Sequence, residues 1–168
     1  FMKALIFSDS HGDYFNMRNT INNCHSVEYV FFLGDGIREY ERARDEFRDK
    51  IFYCVRGNND WMADYRDELV LEFEGKRVLL THGHNHRVKY TEQNLLYLAR
   101  EKNIDVVLFG HTHQPYEQYF ELDGRGIYLF NPGSIGKLSL SPYYHFGRLD
   151  ISEAGIILSH GRVTIGKF

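Results

Sequence analysis

Five short stretches of this sequence carry side chains of the types that bind metal ions in proteins. The candidate ligands, in chain order, are Asp9 and His11 in "SDSH", Asp35 in "LGDG", Asn58 in "RGNND", His82 in "LTHGH", and His111 and His113 in "FGHTH". Taken singly, such a histidine is more often a hydrogen-bonded structural residue, and "GDG" or "GNND" alone is a good turn. Taken together, five segments that all supply oxygen or imidazole donors indicate a metal site, because packing of the core does not require polar side chains at these positions.

The donor types narrow the choice of metal. Carboxylates, an amide oxygen and imidazoles without thiolates suit Mn²⁺, Ni²⁺, Zn²⁺, iron or Co²⁺, whereas structural zinc sites are cysteine-rich and calcium sites use oxygen alone. Seven donors are too many for one transition ion. They suit two ions about 3.5–4 Å apart that share a bridging carboxylate, an arrangement that activates water and clamps phosphoryl oxygens. We therefore expect two divalent transition-metal ions as cofactors, with manganese as the first choice.

The elements that would position these residues alternate between strand and helix. The apolar runs "KALIFS", "VEYVFFL" and "KIFYCV" predict strands, and amphipathic stretches between them predict helices at 14–24 and 38–48. This alternation is typical of βαβ units with parallel strands. Each ligand-bearing stretch follows one of these runs or the later runs "RVLLT" and "DVVLFG". Because the carboxyl ends of parallel strands share one sheet edge, we expect the ligands to converge there.

The rest of the chain predicts a mixed sheet. "LVLEFE" and "RVLLT" flank Gly75 as a hairpin, and "TEQNLLYLAREKN" has helical spacing with Thr91 as its cap. Beyond residue 115 the strands "YEQYFEL", "GIYLFN", "YHFGRLDI" and "GIILSHG" meander between glycine-containing turns, which predicts antiparallel pairing after the parallel part. Without an internal repeat or a linker, residues 1–168 are expected to form one domain.

Composition limits the function classes. The 168 residues carry a formal net charge of −3 without long blocks of one sign, so binding of duplex nucleic acid is not expected. Two cysteines are too few for a disulfide framework. Met2 is expected to be the natural start, and neither a leader peptide nor an apolar run of membrane-spanning length is evident. These features favour a cytoplasmic location with no membrane contact.

The five motifs, in their order, resemble those of the calcineurin-like metallophosphoesterases. "DSH", "GDG", "GNND", "THGH" and "GHTH" match the family pattern, and "NPGS" at 131–134 resembles the short YfcE-like phosphodiesterase branch. The resemblance implies an α/β fold, a four-layer αββα sandwich of two mixed β-sheets. It also implies that Asp9, His11, Asp35 and His113 hold one ion and that Asp35, Asn58, His82 and His111 hold the other, with Asp35 bridging. Two divalent ions and two carboxylates leave an excess positive charge that a hydroxide and a phosphodiester anion would neutralise. The expected reaction is attack of the bridging hydroxide on phosphorus.

The sequence departs from the wider family at Asn59, where many members carry a histidine that is thought to protonate the leaving group. An amide cannot supply that proton. We therefore expect a phosphoric diester hydrolase that favours acidic leaving groups, such as aryl phosphodiesters, and acts weakly on phosphomonoesters. His84 and His86 are candidate replacement acids, although "GHNH" could equally be a solvated loop.

Further residues near the strand ends are candidates for substrate contact. Together with Asn58 and Asn59, the candidate catalytic residues are Asp60, which could orient a ligand, and Arg56, which could neutralise phosphate. Arg56 and Arg38 could instead pair with surface carboxylates. "NPGSIGKLS" offers backbone amides and Lys137 as an anion cradle, or it is a plain turn between strands.

Two other functions remain open on the same fold. One is a non-catalytic, Vps29-like interaction module, which the complete set of ligand positions disfavours. The other is a phosphomonoesterase, which Asn59 disfavours. A small phosphodiester is the expected substrate, and exposed aromatic strands in the last third of the chain leave room for a homo-oligomer.

Overall fold

The computed structural model describes residues 1–136 and 141–164, without the side chain of residue 164. In chain order its elements are β1 (Met2–Phe7), α1 (Phe15–Asn23), β2 (Tyr29–Phe32), α2 (Ile37–Glu46), β3 (Ile51–Cys54), β4 (Glu68–Phe73), β5 (Lys76–Thr81), α3 (Gln93–Glu101), β6 (Val106–Leu108), β7 (Pro115–Leu122), β8 (Arg125–Pro132), β9 (Tyr143–Ser152) and β10 (Gly155–Thr164). A short 3₁₀ helix, His84–His86, follows β5. Within the described part of the chain, no helix has the length and apolar character needed to cross a membrane.

The strands form two five-stranded sheets, each of them mixed. The order is β10-β9-β1-β2-β3 in one sheet and β4-β5-β6-β8-β7 in the other. The strands β1, β2 and β3 pair in parallel, and so do β5, β6 and β8, whereas the outer pairings are antiparallel. Each candidate ligand follows the carboxyl end of a parallel strand, as predicted. These strands are β1, β2, β3, β5 and β6.

Three apolar clusters stack these elements into four layers. The central cluster joins the facing sides of the sheets, with Ile6 and Phe31 from one sheet and Leu80 and Phe130 from the other. A second cluster packs α1 and α2 on the outer face of the first sheet. A third packs α3 on the outer face of the second sheet. The predicted αββα sandwich of two mixed sheets is confirmed.

The local predictions hold to within a few residues. The hairpin at Gly75 is present, and Gly75 adopts a φ of 73°, which a glycine reaches without strain. The predicted helix at 91–103 begins at Gln93, after an N-cap residue, Glu92, whose side chain makes no capping bond. Thr91 still contributes, because its Oγ1 accepts the Gln93 N–H at 3.2 Å.

Ile6 tests how tightly the central layer is packed. Its side chain is fully buried between the sheets. Replacing Ile6 with valine is expected to lower the free energy of unfolding by about 0.5–1.5 kcal/mol, because one buried methylene is lost and the rigid sheets close the gap only partly. Urea denaturation at equilibrium measures this loss. A change within error of zero would mean that the sheets collapse onto the missing volume.

Candidate metal centre

Six of the seven predicted ligands come together in two groups at the carboxyl ends of the parallel strands. One group contains Asp9, His11 and His113, and the other contains Asp35, His82 and His111. Within each group the ligand atoms all lie within 4.8 Å of one another. The seventh residue, Asn58, reaches the second group, because its Oδ1 lies 3.1 Å from His82 Nε2.

The first group surrounds a buried carboxylate oxygen of Asp9. Asp9 is fully buried, and its Oδ2 accepts bonds from Ser8 Oγ at 2.6 Å and from the His111 N–H at 3.1 Å. Among the described residues Asp9 Oδ1 has no hydrogen-bond partner, yet it lies 3.3 Å from His113 Nε2 and 3.6 Å from His11 Nε2. The two Nε2 atoms are themselves 3.1 Å apart. An orphaned buried oxygen among imidazole nitrogens is a donor set that a divalent cation would satisfy.

The second group is oriented by a backbone carbonyl. His82 Nδ1 donates to the carbonyl of Leu33 at 2.7 Å, so loss of the other ring proton leaves Nε2 available to a metal. His82 Nε2 lies 3.3 Å from Asp35 Oδ2, and the ring of His111 lies 5.1 Å from that of His82. The groups adjoin, because Asp35 Oδ2 is also 3.9 Å from His11 Nε2. Asp35 therefore lies between the two groups, and so does Asp9, whose Oδ1 is 3.8 Å from His82 Nε2.

Electrostatics favours ionised carboxylates at the centre but acts differently on its histidines. Burial alone would raise the pKa of Asp9, but the nearby imidazoles of His11, His113 and His82 outweigh burial and lower the pKa well below its usual range. Burial, reinforced by the charge of His82, lowers the pKa of His111 to about 4, so its imidazole is neutral near pH 7. Asp9 raises the pKa of His11, and for His82 the neighbouring carboxylates outweigh burial and raise the pKa as well. Because metal ions bind neutral imidazoles, a cation would displace protons from these two rings.

The backbone at the centre is strained. Nine non-glycine residues in the described chain have a positive φ, and five of them are candidate ligands. The five are Asp9 (56°), His11 (44°), Asp35 (60°), His111 (70°) and His113 (61°). Such conformations cost energy for L-residues and persist where the surrounding structure imposes them, typically at functional sites. The positive φ values therefore mark this edge of the sheets as a candidate functional site.

Asp60 holds the loop that presents Asp35. Its Oδ2 accepts the backbone N–H groups of Asp35 at 2.6 Å and Gly57 at 2.8 Å, and its Oδ1 accepts those of Gly36 at 3.1 Å and Ile37 at 3.3 Å. Because Ile37 begins α2, the carboxylate also caps the N-terminus of that helix. Asp60 thus contacts the backbone of a predicted ligand, and its role is positional.

Asn59 and Arg56, both predicted to contact substrate, donate hydrogen bonds to carboxylates of the protein. The Asn59 backbone N–H donates to Asp35 Oδ1 and its Nδ2 donates to Asp35 Oδ2, both at 2.8 Å. The Arg56 Nε donates to Asp67 Oδ1 at 2.7 Å, which is the surface ion pair considered as the alternative to phosphate binding. Asn59 therefore supports Asp35, and a phosphate would have to compete with Asp67 for Arg56.

The "NPGS" segment braces the ligand loops and does not form an open anion cradle. Residues 131–136 are all buried. The amides of Gly133, Ile135 and Gly136 donate to protein oxygens, so these amides are not offered to an anion. The Asn131 Nδ2 donates to the carbonyl of Gly110 at 2.9 Å, and Ser134 Oγ donates to the carbonyl of Asp9 at 2.9 Å. Lys137 lies outside the described residues.

His84 and His86 differ in where their rings point. The ring centroid of His84 lies 5.4 Å from that of His82 and 6.2 Å from that of His111, and its buried Nδ1 has no hydrogen-bond partner within residues 1–136 and 141–164. Burial lowers the pKa of His84. His86 Nε2 lies 3.2 Å from Glu68 Oε1. Of the two candidate acids, His84 is the one beside the predicted ligands.

Comparison with known proteins identifies the family. Residues 2–154 match the model of the calcineurin-like phosphoesterase superfamily domain. The chain belongs to this superfamily.

Two relatives agree with that membership, and a solved structure shares the fold. The chain is 37% identical over 134 residues to the probable metallophosphoesterase YsnB of Bacillus subtilis, which covers 80% of this chain and 75% of the relative. It is 30% identical over 149 residues to the phosphodiesterase MJ0936 of Methanocaldococcus jannaschii, covering 79% and 83%. The structure of Entamoeba histolytica Vps29 complexed with zinc superposes with a TM-score of 0.73 at 21% identity, over 97% of this chain and 99% of Vps29. This last likeness concerns the fold alone.

Proposed function

We propose that this member of the superfamily is a metal-dependent phosphodiesterase with two divalent ions at the candidate centre. The observation that carries the proposal is the buried Asp9 Oδ1 in the first group, which has no hydrogen-bond partner in the part of the chain that the structure describes, with Asp35 placed between that group and the second. Asp9, His11, Asp35 and His113 would hold one ion, and Asp35, Asn58, His82 and His111 the other. When bound, two such ions supply an activated water and positive charge for the phosphoryl oxygens. Mn²⁺ is the proposed metal, and a reducing cytoplasm, in which Cys24 and Cys54 stay free thiols, is the proposed location.

The residues of the chain prepare the site for this chemistry. Asp35 is held by two donors from Asn59 and through its backbone by Asp60, so its carboxylate is fixed before any ion or substrate arrives. The remaining N–H of the Asn59 amide can donate to a phosphoryl oxygen, but an amide cannot protonate a leaving group. Departure of an alkoxide would therefore rely on solvent or on another acid, and an acidic phenol leaves without help.

The proposal predicts a steep dependence of rate on the leaving group. For a series of aryl methyl phosphodiesters, kcat/KM is expected to fall about three- to tenfold for each unit of increase in the pKa of the phenol, because no general acid neutralises the departing oxygen. Initial-rate assays with Mn²⁺ added to metal-stripped protein measure how kcat/KM changes with the pKa of the phenol. A rate that hardly varies along the series would show that a residue such as His84 acts as the acid.

The same assay separates the proposed function from the two alternatives. Metal-stripped protein is given Mn²⁺, Ni²⁺ or Zn²⁺ and assayed on bis(4-nitrophenyl) phosphate and on 4-nitrophenyl phosphate. Metal-dependent turnover of the diester, well above that of the monoester, supports the phosphodiesterase. Preference for the monoester would support a phosphomonoesterase, and absence of turnover with every metal would favour a Vps29-like interaction module. Homo-oligomerisation stays a prediction.

A further inference from the structure

We propose that the cleft beside the metal centre is a subsite for a nucleoside, carried as the non-leaving ester group of the phosphodiester. This inference rests on the proposed phosphodiesterase function. The cleft has a volume of about 980 Å³ and runs from His11, Asp35 and Asn59 to Arg38, Trp61 and Met62. Ligand pockets for small molecules span roughly 300–1,000 Å³, so a nucleoside fits this space while its phosphate lies at the metal end.

Two large apolar side chains face this cleft without being packed into the core. Trp61 is 74% exposed and Met62 is 81% exposed, and both line the cleft. An indole face of this kind stacks well on a nucleobase, and a methionine adapts its shape to a flat ring. An exposed tryptophan two residues after Asn59 is therefore placed to receive an aromatic group attached to the phosphate.

The loop that carries Trp61 is held rigidly relative to the centre. The Asp60 N–H donates to the carbonyl of Gly57 at 3.1 Å, and the Ala63 N–H donates to the carbonyl of Asp60 at 2.8 Å. The Asp60 carboxylate binds the backbone of Asp35 at the same time. The backbone that carries Trp61 is thus held with respect to Asp35, so less backbone entropy is lost when a ring stacks on the indole.

The charges along the cleft favour an uncharged group. Glu39, Glu41 and Asp64 line it, and Arg38 is the cation among its lining residues. Glu39 accepts a bond from Ser10 Oγ at 2.9 Å, and Glu41 accepts one from Tyr65 Oη at 2.8 Å. These carboxylates would repel a second phosphate but can accept hydrogen bonds from base N–H and sugar O–H groups. A single nucleoside fits this pattern better than a nucleic-acid strand.

Kinetics with two chromogenic diesters tests the subsite. Thymidine 5′-(4-nitrophenyl phosphate) and methyl 4-nitrophenyl phosphate share a leaving group and differ only in the retained ester. In both, a P–O bond forms to the oxygen of water, the P–O bond to the aryl group breaks, 4-nitrophenolate leaves with the electron pair, and the water proton passes to solvent. The wild-type kcat/KM is expected to favour the thymidine ester about tenfold, as stacking on an indole would provide.

Variants assign that preference to the indole. Trp61→Ala is expected to reduce the preference to within about twofold of unity, and Trp61→Phe is expected to keep most of it because a ring remains. Tyr97→Ala is the matched control, since Tyr97 is an exposed aromatic residue (59%) on α3, in the layer against the other sheet. A preference of the same size in wild type and Trp61→Ala would overturn the subsite.

Fluorescence provides a readout that does not depend on turnover. Trp61 is the single tryptophan of the chain, so its emission reports on the cleft directly. Thymidine 5′-monophosphate is expected to quench this emission saturably, whereas methyl phosphate at equal concentration leaves it unchanged. If neither diester is hydrolysed, the proposed function fails and the quenching still decides the subsite. If both diesters are hydrolysed equally well and the nucleotide does not quench, the subsite is wrong and the phosphodiesterase stands.

Discussion

Replacing Asp35 with asparagine is expected to lower kcat/KM on bis(4-nitrophenyl) phosphate by at least about 10³-fold, because the proposed bridging carboxylate is replaced by a weaker, neutral ligand. Asp35 Oδ2 lies within 4 Å of His82 Nε2 in one group and of His11 Nε2 in the other, so one substitution weakens both ion sites. The side chain keeps its size, and Asn59 can still donate to the remaining oxygen. The fold should survive, and the loss should appear in metal content, measured by elemental analysis after gel filtration.

Asp123→Asn is the matched control for this variant. The substitution is chemically the same, and the backbone conformations are similar, since φ is 53° at Asp123 and 60° at Asp35. The side chain of Asp123, however, pairs with Arg100 on the surface. We expect it to retain two ions and wild-type turnover within about twofold, since exposed ion pairs contribute little. An Asp35→Asn protein that keeps both ions and more than a tenth of the activity would rule out the bridging role.

The convergence of the candidate ligands could be predicted from sequence because each of them follows a strand. His82 and His111 follow short apolar runs, and β5 and β6 pair in parallel, so their carboxyl ends fall on one edge. Residue type then indicates a metal, because histidines and carboxylates at adjacent strand ends have few structural uses. The alternation of strands and helices likewise predicts the layers, which the three apolar clusters build.

Other features depend on contacts between residues that are distant in the chain and therefore leave no local pattern. Ser134 supports the backbone of Asp9 across 125 positions, and Asn131 supports the Gly110 carbonyl across 21. The sequence "NPGS" is recognisable as a motif, yet its residue types alone do not show whether the segment supports the ligand loops or binds an anion. Arg56 has the same difficulty, because its pairing with Asp67 depends on the path of the intervening loop.

Asp60 shows how such a distant contact links stability to the proposed chemistry. Its carboxylate satisfies four backbone N–H groups, on Asp35, Gly36, Ile37 and Gly57. Asp60→Ala is expected to lower the free energy of unfolding by about 2–4 kcal/mol, because the donors lose a charged acceptor and α2 loses its cap. It should also reduce kcat/KM about 10²-fold, because Asp35 is no longer held in its strained conformation.

Asp60→Asn and Asp45→Ala separate positioning from general destabilisation. The asparagine keeps one acceptor oxygen but turns its NH₂ group toward the other N–H donors, so it should recover only part of the stability and part of the activity, because the two oxygens of Asp60 serve different donors. Asp45 lies on α2, the helix that Asp60 caps, and its side chain is 70% exposed. Asp45→Ala should therefore change neither the free energy of unfolding nor kcat/KM. Urea denaturation and kcat/KM at saturating Mn²⁺, measured at a temperature where every variant is folded, give both numbers. If Asp60→Ala lost stability as expected yet kept wild-type turnover and metal content, the carboxylate would serve the helix alone, and Asp35 would owe its geometry to Asn59.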